Sequence, residues 1–364
     1  MLISNSVAGT AALSFLGIIL ISQFAIATPN QLPGQVHAIH IVSHVGPRAA
    51  EPTLADRRPK RARADRGVTL YAVLEVARGQ RREYYSDADT IRIGARTIRP
   101  RPIADAPPVS LRWYKVEPDT EVLSNTRSGR FQLEEIPYVE TPVPAWDDRA
   151  TVRADVRPTV TADRGRGVGT MRYKFEARSA TATLTTAGRE ATRERGGGLR
   201  DDVHQVSLRR DDSYLGMLTE LFGQPYIWAS GGQPARQHQS ERLEGADCAD
   251  FIVYGWRRLG HRVDYTWSQG LREYTRLLAA GEPGPEHIFR DRHGQPVPFP
   301  EPGDLLLFPR HVGALVEDRG VPGVLDGDDI MMHTLFQSPR EQSIADAGYA
   351  GRSLEVRRWR RARR

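Results

Sequence analysis

The sequence predicts an α+β protein in which one or two small all-β domains precede a domain of helices packed on an antiparallel sheet. Three observations carry this. Between residues 67 and 210, apolar residues recur with period two in short runs separated by Pro, Gly, Asp and Asn. After 210 the spacing lengthens to that of amphipathic helices. Beyond about 304 it shortens again to strands, and helices followed by an antiparallel sheet is an α+β order.

In the first region "VTLYAVLEV" places Val68, Leu70, Ala72, Leu74 and Val76 on one side of a strand. "DTIRIGARTIRP", "VSLRWYKVEP", "RFQLEEIPYVE", "TVRADVRPTV" and "GTMRYKFEAR" continue in the same manner. Burying one face of a sheet accounts for this pattern, and a ligand-binding module would show the same one. "RERGGGLRDD" at 194–202 reads as a loop or boundary. The first helix is expected in "DDSYLGMLTELFGQP", capped by Asp212 or Ser213 and closed by Gly223 and Pro225. The second is "DCADFIVYGWRRLG", stopped at Gly260. A third is expected in "TWSQGLREYTRLLAAG", with Thr266 and Gln269 as a capping box. Strands are expected at 304–308, 311–318 and 329–336.

The 364 residues suffice for two or three domains. A composition of 39% hydrophobic and 26% charged residues argues against wholesale disorder. The net charge is +6 and is carried almost wholly by arginine, since Lys60, Lys115 and Lys174 are the only lysines. This bias marks no nucleic-acid site; it suits an anionic surface such as a bacterial envelope. Residues 7–27 are uncharged and end in Ala25-Ile26-Ala27, a small-x-small pattern followed by Thr28-Pro29. The segment 1–27 is therefore expected to be a signal peptide, or an uncleaved signal anchor, because the run is long and no Lys or Arg precedes it. A buried core helix is the bland alternative. Residues 28–66 read as a Pro/Arg-rich linker. Within it His37, His40 and His44 could share a helical face, but no carboxylate or cysteine joins them, and no metal is expected. The domain expectation is thus 1–27 leader, 28–66 linker, 67–210 β-rich accessory region and 211–364 helix-and-sheet domain with a basic tail.

Cys248 is the only cysteine, so it forms no internal disulfide. It stands at the start of the second predicted helix, where free N–H groups and the positive dipole end favour a thiolate. Such a position moves a thiol from about 8.5 toward about 3.5–7.5. Most free cysteines are small buried hydrophobes, so this segment alone decides little. Asp247 is placed to cap the helix or to hold a substrate amine, and Asp250 is a first-turn carboxylate. A base is available in His311, which opens the strand "HVGALVED", and His333 lies on the following strand in "MMHT". Neighbouring strands could stack the two imidazoles so that one orients the other.

Four ordered blocks, "LFGQPYIWASGG", "DCADFIVYGWRRLG", "EPGDLLLFPRHVGALVED" and "DIMMHT", resemble the NlpC-type cell-wall cysteine peptidases, a papain-like family of bacterial envelope enzymes. The resemblance spans residues 211 to roughly 360. It implies a papain-like fold for this part of the chain. It implies Cys248 as nucleophile, His311 as general base and then acid, and His333 as the group that orients His311. Tyr226, with Trp228 in the same block, and Asp247 are implied near the substrate and the oxyanion. The implied activity is hydrolysis of an amide bond in peptidoglycan stem peptides, without a cofactor, in an exported protein of the periplasm or cell envelope. Ala249-Asp250 departs from the family's Ser-Gly, which puts the bond cleaved in doubt. Arg310 stands before the base and could grip a substrate carboxylate or be a solvated surface residue. "DGDD" at 326–329 reads as a turn. The tail "VRRWRRARR" could touch a membrane or anionic envelope polymers, or be merely solvated. Two alternatives use the same residues: acyl transfer or amidase chemistry by the same triad, and a catalytically silent envelope-binding protein. The sequence sets no oligomeric state.

Overall fold

The computed structural model describes residues 35–46 and 53–360. The strand Val68–Arg78 organises the first half. Its even-numbered residues from Val68 to Val76 enter one core with Trp113, Tyr173, Phe175 and Val206. Tyr71 and Val73 enter a second cluster on the opposite face, with Val42, Ala55 and Ile91. A strand covered on both faces must be central, and this one pairs antiparallel with Gln35–Val45 along its length. A second sheet runs in the order Tyr138–Pro142, Ser110–Pro118, Gly169–Arg178, His204–Arg209 and Lys60–Arg63, the last pair parallel. The two sheets curl around the shared core and nearly close it.

The linker expected over 28–66 is therefore corrected where it is described: Gln35–Val45, Leu54–Asp56 and Lys60–Arg63 are strands. His37, His40 and His44 lie on an extended strand, and His40 Nε2 is 3.1 Å from a Glu75 carboxylate oxygen. The leader 1–27 lies outside the described residues. Among the described residues no helix is long and apolar enough to cross a membrane.

In the second half a seven-stranded antiparallel sheet runs in the order Phe289–Arg290, Thr275–Pro283, Leu354–Trp359, Leu305–Phe308, His311–Glu317, Ile330–His333, Arg340–Ser343. Alternation divides each strand between two cores. Leu305, Leu307, Val312 and Met332 face helix α2, Cys248–Arg258, while Leu306, Phe308, Leu315 and Met331 face away from it. Helix α1, Tyr214–Leu218, starts at a Ser213 cap and packs on α2. The contact is close at Gly255, where an added Cβ would lie 2.6 Å from a Leu218 methyl and 3.0 Å from the Tyr214 ring. Gly255→Val is expected to cost about 1–3 kcal/mol by overpacking, read as a lower urea midpoint at unchanged slope.

The predicted α+β class, with a papain-like domain of helices packed on a sheet, is overturned. The protein is mostly β, 40% strand against 12% helix, in curled sheets. The helices are few because the third expected one does not form. Ser268–Glu273 is a 3-10 turn, and Thr275–Pro283 is a strand bonded to Leu354–Trp359. Gln269 donates to the Phe308 and Pro309 carbonyls and not to a capping box. The first helix is also shorter than expected, passing into a 3-10 turn at Thr219. The basic tail is corrected up to residue 360. Val356 and Trp359 are buried, and Arg358 binds both oxygens of Asp304 at 2.7 Å.

The two halves are joined at several places, among them a strand pair and a buried ion cluster. Val122–Ser124 pairs in parallel with Tyr226–Trp228. Glu220, fully buried after α1, takes Arg258 of α2 at 2.8 and 3.1 Å. It also takes Arg209 at 3.4 Å and Arg61 at 3.8 Å, both from strands of the second sheet.

Candidate functional site

The N-terminus of α2 is fixed by side chains around it. Asp247 has extended backbone angles and accepts from the amides of Ala249 at 3.0 Å and Asp250 at 2.9 Å, a conventional N-cap. The Asp247 amide donates to Ser230 Oγ at 3.0 Å, and Ser230 donates in turn to Asp250 Oδ2 at 2.5 Å. His238 Nε2 lies 3.5 Å from the same Asp250 oxygen, its ring stacked on Tyr265 at 3.6 Å. Asp250 is thus the buried anchor of the helix start. Burial pushes the Asp247 carboxyl up to about 6. It raises Asp250 well above the usual carboxylate range, and the charge of Asp247 adds to that.

Cys248 follows the cap and is only 6% exposed. Its sulfur is seated against the amide of Val312, the second residue of the His311 strand. Burial pushes the thiol up, and Asp247 pushes it further; the Val312 and Ala249 amides act the other way and lose. The helix terminus was expected to depress this thiol, and desolvation outweighs it.

His311 and His333 are brought together as expected. Their Nε2 and Nδ1 atoms are 2.9 Å apart and buried, the rings edge to face. One proton fills that bond. With it on His311 Nε2, Nδ1 keeps its lone pair, and Nδ1 has no other hydrogen-bond partner. Burial drops His311 well below its ordinary value, with His333 adding to the shift. Burial and then the Arg340 charge drop His333 to about 4. Both rings are neutral at pH 7, and so is the thiol.

Tyr226 lies at this site with its hydroxyl buried and without a hydrogen-bond partner. Burial raises its phenol, and Cys248 and Asp247 add to the rise. Trp228, two residues along the same strand, is 48% exposed, and Phe336 meets the Tyr226 ring edge at 5.3 Å. Arg310 sits exposed in the turn between the strands Leu305–Phe308 and His311–Glu317, outside the buried cluster. Tyr349 was not foreseen. Its ring stacks on His311 at 4.7 Å, and burial and then Cys248 raise its phenol to about 12. Nothing local in "DAGYAG" marks it, and the same holds for Ser230, His238 and Arg340.

Comparison with protein-family models, with curated proteins and with solved structures returned no match. Among the described residues no group of three or more His, Cys, Asp and Glu is placed to hold a metal ion. A cavity of about 700 Å³ opens between the first two sheets, lined by Asp56, Arg57, Arg92 and His204 among others. It holds neither the cysteine nor the histidine pair.

Proposed function

We propose that the chain is an exported cysteine hydrolase that cleaves an amide bond of peptidoglycan stem peptides through Cys248, His311 and His333. The observation that carries the chemistry is the buried 2.9 Å histidine pair on the strands against which the helix-start cysteine is seated. The four sequence blocks resembling NlpC-type peptidases carry the choice of substrate and of the cell envelope.

Because thiol and imidazole are both neutral at rest, proton transfer accompanies attack. Cys248 Sγ bonds to the carbonyl carbon while its proton passes to His311 Nδ1. His333 holds His311 in the tautomer that leaves Nδ1 free and stabilises the imidazolium that forms. The Cys248 amide and the unpartnered Tyr226 hydroxyl are the donors at hand for the oxyanion. Collapse breaks the C–N bond, and His311 returns its proton to the departing amine. Water then attacks the thioester with His311 again as base, releasing the acid and restoring the thiol.

The test sets purified protein against isolated peptidoglycan, with released fragments read by mass spectrometry. Wild type is expected to release stem-peptide fragments, and Cys248→Ala to lose at least about 1,000-fold of that rate while keeping its fold. Equal release by both proteins would sink the reading.

A further inference from the structure

Three arginines of the described chain are more than nine-tenths buried: Arg172, Arg340 and Arg357. Two of them are well bonded. Arg172 donates to Gln224 and to the carbonyls of Arg242 and Leu243. Arg357 donates to Thr275 Oγ1 at 2.8 Å, to the Thr275 carbonyl and to Glu355. Arg340 differs. Its Nε reaches the Ser338 carbonyl at 3.3 Å, and its Nη2 is buried with no hydrogen-bond partner. The nearest carboxylate oxygen, on Glu121, is 3.9 Å from Nη2, beyond hydrogen-bond reach.

A buried guanidinium left this way is costly, because lost hydration is not replaced. Burial and the nearby charge of Arg164 lower its pKa to about 10, with Glu121 acting the other way. Its position relates it to the candidate site. Arg340 stands directly opposite His333 in the strand register, so the two side chains leave the sheet on one face. Glu121 precedes the strand Val122–Ser124, and its carbonyl accepts from the Tyr226 amide at 2.9 Å. Arg340 therefore lies between the histidine that orients the base and the segment that holds Tyr226.

We propose that Arg340 is a specificity-determining residue that receives a free carboxylate of the substrate beside the bond to be cut. The proposal rests on the hydrolase reading and adds the substrate class: amides that carry a neighbouring carboxylate. A guanidinium fork meets a carboxylate through two parallel bonds, which a carboxamide cannot reproduce. Glu121 is then a competitor that holds the cation loosely until the substrate displaces it.

The experiment uses alanyl-γ-D-glutamyl-lysine, amidated at its C-terminus, with the glutamyl α-carboxylate either free or converted to the carboxamide. Wild type is expected to favour the free carboxylate by about 10- to 100-fold in kcat/KM. Arg340→Gln is expected to bring that ratio to near unity, and Glu121→Gln to widen it. A wild-type ratio near one, or the same ratio in Arg340→Gln, overturns the proposal. If Arg340→Gln does not fold, Arg340→Lys replaces it, and an undiminished ratio there also overturns the proposal. Should neither peptide be cleaved, calorimetric binding to Cys248→Ala decides on Arg340 separately from the hydrolase reading, which the peptidoglycan digestion tests. Tighter binding of the carboxylate that Arg340→Gln abolishes supports the clamp; equal binding of both peptides removes it.

Discussion

Glu220→Gln is expected to destabilise the protein by about 3–5 kcal/mol. Glu220 is fully buried and is the anion shared by Arg258, Arg209 and Arg61, with the Tyr254 hydroxyl also bonded to it. Glutamine keeps the shape and removes the charge. Arg258 and Arg61 then lose their carboxylate, Arg209 keeps only Asp212, and the removed interaction joins α2 to two strands of the second sheet. The arginines are 15–29% exposed, so water screens part of the loss and places the effect toward the lower end. Urea unfolding at pH 7 checks this. A midpoint shift worth less than about 1 kcal/mol would mean that solvent already neutralises the cluster.

Cys248 is expected to alkylate slowly at pH 7, with a rate that rises about tenfold per pH unit and has not levelled off by pH 9. The sign follows from the site. Only the thiolate reacts, and burial with the Asp247 charge raises the pKa of this thiol above its ordinary value. His311 is lowered, so it does not stabilise a resting thiolate by carrying a proton. An exposed thiol levels off near about pH 8.5, and a preformed thiolate–imidazolium pair would hold a plateau down to about pH 5. Iodoacetamide rates from pH 5 to pH 10 distinguish the three cases. An acid plateau would discard the neutral resting pair and the coupled proton transfer with it. The same raised thiol makes the fold lose stability as pH climbs past about 8.5, where the unfolded chain ionises first.

The local features of the site were legible in the chain. Asp247 ahead of "CADFIVYGW" reads as a cap, and it is one. "LLLF", "HVGALVE" and "IMMH" read as strands, and their order places His311 beside His333. What escaped depends on partners distant in sequence. "TWSQGLREYTRLLAAG" reads as a helix, yet its Leu277 and Leu278 are 53% and 37% exposed on a strand. Their segment is a strand because Leu354–Trp359, some eighty residues away, offers it hydrogen bonds. The same strand was hidden by its arginines, which suggested a solvated tail, although Arg357 and Arg358 are held by Thr275 and Asp304. "HAIHIVSHV" reads as linker because Pro- and Arg-rich flanks surround it; its mate is the strand Val68–Arg78. Tyr349, Ser230 and Arg340 come from separate loops and an outlying strand, and only the folded chain brings them to His311, Asp247 and His333. Periodicity reports what a residue wants to bury, not which distant segment will cover it.

The strand Leu354–Trp359 also governs timing. It lies between Thr275–Pro283 and Leu305–Phe308, so it completes the sheet from the inside. A growing chain that has not yet delivered these six residues leaves Leu305–Phe308 with an open edge, and this is the strand that aligns His311. The nucleophile, both histidines and the tyrosines beside them are all synthesised before the piece that locks their scaffold. A chain cut short of residue 354 is therefore expected to leave Leu305–Phe308, and the histidine strand paired with it, without its inner neighbour.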